Sequence, residues 1–377
     1  MRVCFFIASL GDGGAQRQCI ALINAIQHSP GVEVHLILLG PGEHDSDLDL
    51  SRLHVHRTEI SNFANPMALA FVVRTLRRVR PDLLISWLHP ADIWSYAATR
   101  IVRGVPWIIT ERASGPHPDE RVYFNLRKSF GRRSAAMVIA NSQAGKQLWD
   151  SFAPYSPVRM IPNMVIDNAV PRGPRADRMT SVECLYVGRL DTEKNIGAMT
   201  AAFAEFAASH PEARLLVAGK GPLSAEVMRI ADETGFANQV ELLGFRRDVR
   251  ALMFRARVLL SFSRNEGMPN VVMEAVSAGL PAVVSDIPQH RALLGDDYPY
   301  YARLDSPSEE SAAVIARAWT NGLAAEEEIY AHPRAVLATM TPSRVAAAYL
   351  ETFAEVIGRA TASNNQTRQS HRRLRRP

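Results

Sequence analysis

Short apolar runs alternate with amphipathic stretches along most of the chain. Val3–Ala8 is wholly apolar and stops at a glycine cluster, the pattern of a parallel strand covered on both faces. Gln16–His28 follows with helical spacing (Cys19-Ile20, Leu22-Ile23, Ile26), then Val32–Leu39 as a second strand. The alternation continues as helix Met67–Arg80, strand Leu83–Trp87, helix Asp92–Arg103, strand Trp107–Thr110, basic helix Glu120–Arg133 and strand Ala136–Ala140. Near 168–180 the period breaks at two prolines and a glycine, which suits an interdomain linker. Val182–Val187 opens a second series: helix 196–209, strand 214–218, helix 223–234, strand 239–243, helix 248–254, strand 257–261, helix 270–278 and strand 281–285. Helices near 308–322 and 343–359 complete it. The predicted fold class is α/β, with two Rossmann-like, doubly wound parallel-sheet halves. The predicted boundaries are 1–168, a linker at 169–180, 181–342, a C-terminal helix at 343–360 and a tail at 361–377 expected to be disordered.

Composition narrows the class. A chain of 377 residues, 47% apolar and 21% charged, excludes wholesale disorder, collagen-like repeats and a disulfide-stapled miniprotein. The net charge of +5 hides an asymmetry: residues 1–180 sum to +6, residues 181–360 to −6, and the last 17 hold five arginines and no acid. Only four of the 43 basic residues are lysines (Lys128, Lys146, Lys194, Lys220), so a lysine in a turn between strand and helix stands out. Cys4, Cys19 and Cys184 form no CxxC pair and lie in apolar segments, as expected of buried thiols in a reducing compartment. No apolar run approaches the roughly 20 residues of a membrane span. Met1–Ala8 is too short for a signal-peptide core, and the expected location is cytoplasmic.

Three turns carry candidate chemistry. Gly11-Asp12-Gly13-Gly14-Ala15-Gln16-Arg17 follows the first strand; glycines there let backbone approach a ligand, and a helix N-terminus favours anions. Its G-x-G-G order is not the G-x-G-x-x-G of a dinucleotide site, which argues against a dehydrogenase. Gly188-Arg189-Leu190-Asp191-Thr192-Glu193-Lys194-Asn195 follows the first strand of the second half. Two cations converging there would neutralise a diphosphate without metal, whereas a solvated turn is the plainer alternative. Asn265-Glu266-Gly267-Met268-Pro269-Asn270 leads into a helix carrying Glu274 and stopped by Gly279 and Pro281. The amides of 267–270 suit phosphate or sugar oxygens, and Glu274 among valines needs either a partner or an exposed face.

Glu266 and Glu274 in E-x7-E spacing, the G-R-L…K-N run, the N-terminal G-G-x-Q-R and Ile161-Pro162-Asn163 together resemble glycosyltransferase family 4, retaining enzymes of the GT-B fold. The likeness covers residues 1–360, and Met164 replaces a glycine the family often has. Ile85-Ser86-Trp87-Leu88-His89 and Ile109-Thr110-Glu111-Arg112 are similar to bacterial enzymes that build surface polysaccharides and lipid-linked oligosaccharides. The resemblance implies two domains facing a central cleft, with the C-terminal helix packing back on the first. It implies that Arg189 and Lys194 hold the donor diphosphate, with Gly188 at the same turn. Glu274 would accept hydrogen bonds from the ribose and Glu266 from the donor sugar, beside Gly267, Met268 and Asn270. Gly13, Gly14 and His89 would contact the donor from the first domain. The implied substrates are a nucleotide-sugar donor, UDP-linked by preference, and a glycan or polyprenyl-linked acceptor, with no metal and no other cofactor. A nucleotide-sugar epimerase or hydrolase of the same fold, or a Rossmann nucleotide-binding protein or dehydrogenase, are the alternatives.

The acidic loop Asp45-Ser46-Asp47-Leu48-Asp49 has D-x-D spacing, but a solvated loop is the stronger expectation than a metal site. The basic stretches Arg74, Arg77, Arg78, Arg80 and Arg127, Lys128, Arg132, Arg133, with the arginine tail, suit an anionic membrane surface or a solvated face equally. No nucleic-acid recognition module accompanies them, so no nucleic-acid partner is expected.

Overall fold

The computed structural model describes residues 1–60, 65–112, 121–152, 154–166 and 178–373, and most of the expected linker lies outside them. The chain divides into two compact units, Met1–Met164 with Pro342–Pro377, and Val165–Thr341.

In the first unit β1 (Arg2–Ile7), β2 (Glu33–Leu38), β3 (Leu53–Arg57), β4 (Leu83–Trp87), β5 (Trp107–Glu111), β6 (Met137–Ala140) and β7 (Val158–Met160) form one sheet. Its order is β3-β2-β1-β4-β5-β6-β7, and all the pairings are parallel. Alternate residues of β1 enter opposite cores: Val3, Phe5 and Ile7 pack with helices Gly14–Ile26 and Pro342–Arg373, and Cys4 and Phe6 with helix Pro66–Val79. Burial on both faces is why the strand reads as an unbroken apolar run. The three cysteines are free and buried.

The C-terminal helix belongs to this unit. Phe353 meets Phe5 edge-on at 6.4 Å, Arg159 donates to Thr352 Oγ1 (2.9 Å) and Glu355 Oε2 (2.6 Å), and Arg112 donates to Tyr349 OH (2.5 Å). The helix runs to Arg373, so the backbone of 361–373 is helical where an irregular tail was expected. An already nucleated helix adds one hydrogen bond per residue fixed and so continues even through the weak helix formers Ser363, Asn364, Asn365 and Thr367.

A buried polar network ties β4, β5 and the helices His89–Ile101 and Arg121–Ser134 together. Arg127 is 2% exposed and binds Asp92 and Glu111, with Thr110 O accepting from its Nη2 at 2.8 Å. Trp149 Nε1 donates to Glu111 (2.7 Å), Ser86 Oγ contacts Asp92, and Trp107 Nε1 donates to Ser86 Oγ (2.8 Å). Burial raises the Asp92 carboxyl, against the pull of Arg127 and Ser86. Arg127 therefore does not belong to the basic surface stripe proposed for it from sequence. Its neighbours Lys128 and Arg132 lie over the rings of Phe152 and Tyr155. Arg74, Arg77, Arg78 and Arg80 are exposed.

The second unit holds β8 (Glu183–Val187), β9 (Arg214–Ala218), β10 (Val240–Gly244), β11 (Val258–Ser261), β12 (Ala282–Ser285) and β13 (Tyr301–Ala302), in the order β10-β9-β8-β11-β12-β13 and again parallel. Helix Asn270–Ala278 ends at Gly279, whose left-handed backbone (φ 66°) makes the expected C′ position. Arg178, buried, donates to Phe254 O, Gly279 O and Ala278 O at 2.8–2.9 Å and so covers the negative end of that helix. Among the described residues no helix is long and apolar enough to cross a membrane.

Arg127→Leu would strand two buried carboxylates, and a loss of about 3–5 kcal/mol in urea unfolding is expected. A loss within ~1 kcal/mol, the scale of an exposed ion pair, would contradict this role.

Candidate active site

Open parallel sheets form a crevice beyond the carboxyl ends of their strands, where strand order reverses. The second sheet reverses between β8 and β11. The turn after β8 is pinned against the turn after β9: Gly188 N bonds Ala218 O (3.0 Å) and Leu190 N bonds Lys220 O (2.9 Å). A Cβ on Gly219 would lie 1.8 Å from Gly188 O, so this approach requires glycine. Tyr186 OH then donates to Arg189 O (2.6 Å).

The turns after β8 and β11 are laced together across the reversal. Asp191 Oδ1 caps Lys194 N (3.1 Å), and Asn195 takes a left-handed backbone (φ 51°), a conformation asparagine tolerates, to start helix Ile196–Ala207. Arg264 N donates to Glu193 O (2.7 Å) and Arg264 Nη2 to Asn195 Oδ1 (2.9 Å). Lys194 Nζ lies 2.6 Å from Glu266 Oε1, which also accepts from Ser263 Oγ (2.7 Å). The two side chains are only 22% and 11% exposed. Burial would raise the Glu266 carboxyl, but the Lys194 charge and hydrogen bond, the Ser263 hydroxyl and His290 outweigh it and hold the group below the usual carboxylate range.

The other sequence-predicted residues of this unit lie nearby in chain and vary in role. Arg189 does not join Lys194 at a bare cationic centre; it is half-exposed and pairs with Asp191 (2.9 Å) and Glu193 (3.6 Å). Gly267 and Met268 lead into the helix carrying Glu274, which is half-buried between Met273 and Ala275. The amides of 267–270 are not all available: Pro269 has none, and Asn270 N bonds Met268 O (2.9 Å).

The first sheet reverses between β1 and β4. There Gly13 caps helix Gly14–Ile26 without a side-chain bond, and Trp87 Nε1 at the end of β4 donates to Ala15 O (2.8 Å). His89 opens helix His89–Ile101 behind Leu88, whose φ of 72° is strained for a leucine, at about 1–3 kcal/mol. Gly13, Gly14 and His89 thus share one sheet edge. The D-x-D loop is not a converging ligand set: Asp45 pairs with Arg57 (2.7 Å), Asp47 with His44 (2.7 Å) and Asp49 with His28 (2.8 Å).

Sequence reasoning missed Ser263, Arg264, Arg178 and His290. His290 is fully buried; its Nδ1 lies 2.7 Å from Ser285 O, and Ser285 Oγ donates to Ser263 O (2.5 Å), which braces the strand ends behind Glu266. A polar residue following an apolar strand carries no signal of such a contact.

Comparison with known proteins places these turns in context. Residues 12–168 match the family model described as Glycosyltransferase Family 4, and residues 181–321 that described as Glycosyl transferases group 1. The chain is 28% identical over 287 residues to a Campylobacter jejuni α-1,4-N-acetyl-D-galactosaminyltransferase named for a diphospho-undecaprenol-linked glycan, covering 73% of this chain and 77% of that one. It is 29% identical over 344 residues to the Vi polysaccharide biosynthesis protein VipC/TviE of Salmonella typhi, covering 75% of this chain and 58% of that one. Among solved structures, Anabaena HepE in complex with UDP and glucose matches with a TM-score of 0.80 at 19% identity, over 94% of this chain and 99% of that one. With residues 12–168 and 181–321 both matched to glycosyltransferase models, the chain belongs to the family 4 glycosyltransferases and has their two-domain GT-B fold.

Proposed function

We propose that the protein is a retaining glycosyltransferase that moves a sugar from a nucleotide diphosphate, UDP by preference, to a glycan or polyprenyl-linked acceptor in bacterial surface-polysaccharide synthesis. The observation that carries this is the nearly buried Lys194–Glu266 pair at the strand-order reversal of the second sheet. The name of the Campylobacter relative supports a lipid-linked acceptor, and the UDP bound to HepE supports the base.

The difficult step is departure of a nucleoside diphosphate from an oxocarbenium-like carbon. The Lys194 ammonium, with Arg189 at the rim, stabilises charge developing on the leaving phosphate. Because Glu266 is held ionised, it accepts a hydrogen bond from a donor-sugar hydroxyl while its other contact fixes the position of Lys194 Nζ. Glu274 takes the ribose hydroxyls, and Gly188, Gly267, Met268 and Asn270 contact the donor. In the first unit, Gly13, Gly14 and His89 are assigned to donor contact because they share that sheet's reversal edge. The leaving phosphate takes the acceptor proton on the same face, so no side-chain base is needed, and these cations make a metal unnecessary. The exposed Arg74, Arg77 and Arg80 suit the anionic surface of a membrane carrying the acceptor, at the cytoplasmic side.

With UDP-sugars and a polyprenyl-diphosphate glycan, transfer with retained anomeric configuration is expected, undiminished by EDTA. Lys194→Ala should lower turnover by about 10²–10³-fold; near-normal turnover, or an inverted product, would sink the assignment. A second expectation concerns pH. Glu266 is depressed in the fold, so its stabilisation is complete above the unfolded carboxylate value and is lost as pH falls through the folded one. In Lys194→Met burial would dominate and raise that carboxyl. The stability gap between wild type and variant should therefore narrow from about pH 6 to about pH 3. A gap that does not change with pH would show that the pair is not coupled.

A further inference from the structure

At the amino-terminal end of the first sheet, away from the edge that holds Gly13, Gly14 and His89, ligand-type side chains crowd one face of the edge strands. Glu33 and His35 on β2 and His54 and His56 on β3 share a face, with His35 directly paired in register to His54. The intervening Val34 and Leu36 point into the core on the other side. Ligand atoms of Glu33, His35 and His54 all lie within 4.8 Å of one another. Nothing in sugar transfer uses them, and an edge strand normally carries lone charges or lysines in place of stacked imidazoles.

We propose that Glu33, His35 and His54 bind a divalent transition-metal ion of the zinc class, clipping the edge strand β3 to β2. Two imidazoles and one carboxylate form a donor set that suits zinc and leave a position for water. The carboxylate is already oriented: Arg2 Nε holds Glu33 Oε2 (3.0 Å), which leaves Oε1 toward His35 Nε2 (2.9 Å). His35 is buried and stacked on His54 with ring centroids 4.8 Å apart. His54 is exposed and can close the remaining distance to the 2.0–2.2 Å bonds that zinc requires. Behind His35 stands the partner that metal-bound histidines usually have on their other nitrogen, since His35 Nδ1 lies 2.9 Å from His56 Nε2.

The metal-free hydrogen bonds explain why the site is unspent. Arg78 Nη2 donates to His56 Nδ1 (2.8 Å), which leaves the His56 proton on Nε2, donated to His35 Nδ1. The His35 proton then sits on Nε2 and is donated to Glu33. A metal ion takes the place of that proton: His35 shifts its proton to Nδ1, His56 shifts its own to Nδ1, and Arg78 swings out into solvent. The proton count is unchanged, and the lost Arg78 bond opposes binding.

The test uses the untagged full chain, titrated with Zn²⁺ by calorimetry and with Co²⁺ by visible absorption. One equivalent is expected, with a d–d spectrum for cobalt and a higher Tm with zinc. His54→Ala and the isosteric Glu33→Gln should abolish uptake. His56→Phe, which keeps a ring but loses the hydrogen bond, should weaken it by about 10–100-fold. Arg78→Ala should tighten it. Donor turnover should be unchanged in all four. Absence of stoichiometric uptake, or uptake undiminished in both His54→Ala and Glu33→Gln, would overturn the site.

Discussion

Strand order reverses once in each sheet, between β1 and β4 and between β8 and β11, and the candidate site residues lie in the loops at those two reversals and in the helices that follow them. A parallel sheet sends neighbouring connections to opposite faces at that point, so the loops part and leave backbone and side chains open to a ligand. In the second unit the parted loops are not slack. Arg264 ties the β11 loop to Glu193 and Asn195, and Lys194 ties the β8 loop to Glu266. Arg178 anchors the far end of the helix that follows Glu266 by covering the carbonyls of Ala278 and Gly279. The loop bearing Glu266 and the helix after it are thus held from both ends.

Two nearly buried charge clusters illustrate different uses of the same electrostatics. Around Arg127 every arm of the guanidinium meets a carboxylate or a carbonyl, and Trp149 adds a donor to Glu111. That cluster is sealed and fixes two helices on the sheet. The Lys194–Glu266 pair is also mostly desolvated but keeps 22% and 11% of its side-chain surfaces exposed, so it is strengthened by low dielectric without being sealed.

The β-α series was legible because strands covered on both faces leave unbroken apolar runs, and helices between them keep a 3.6-residue period. Glu266, Lys194 and the stop at Gly279 were legible for a related reason: turn chemistry is local. The edge strands β3 and β7 were not. Leu53–Arg57 has only Leu53 and Val55 as apolar residues, and Val158–Met160 is three residues long. Arg127 was unreadable in a different way. Its neighbours Lys128, Arg132 and Arg133 make it look like one of a solvated row, while its partners Asp92 and Glu111 lie 35 and 16 residues away. Ser263 and His290 share that difficulty, since their importance comes from contacts made only after the sheet forms.

A nucleotide sugar bound at the loops of the β8–β11 reversal would shield their amides from solvent. Hydrogen exchange of the full chain with and without UDP tests it most directly. Slowed exchange at Gly188–Lys194 and at Gly267–Val271 is the predicted result. Protection confined to other segments, with these two stretches unchanged at saturating UDP, would contradict it.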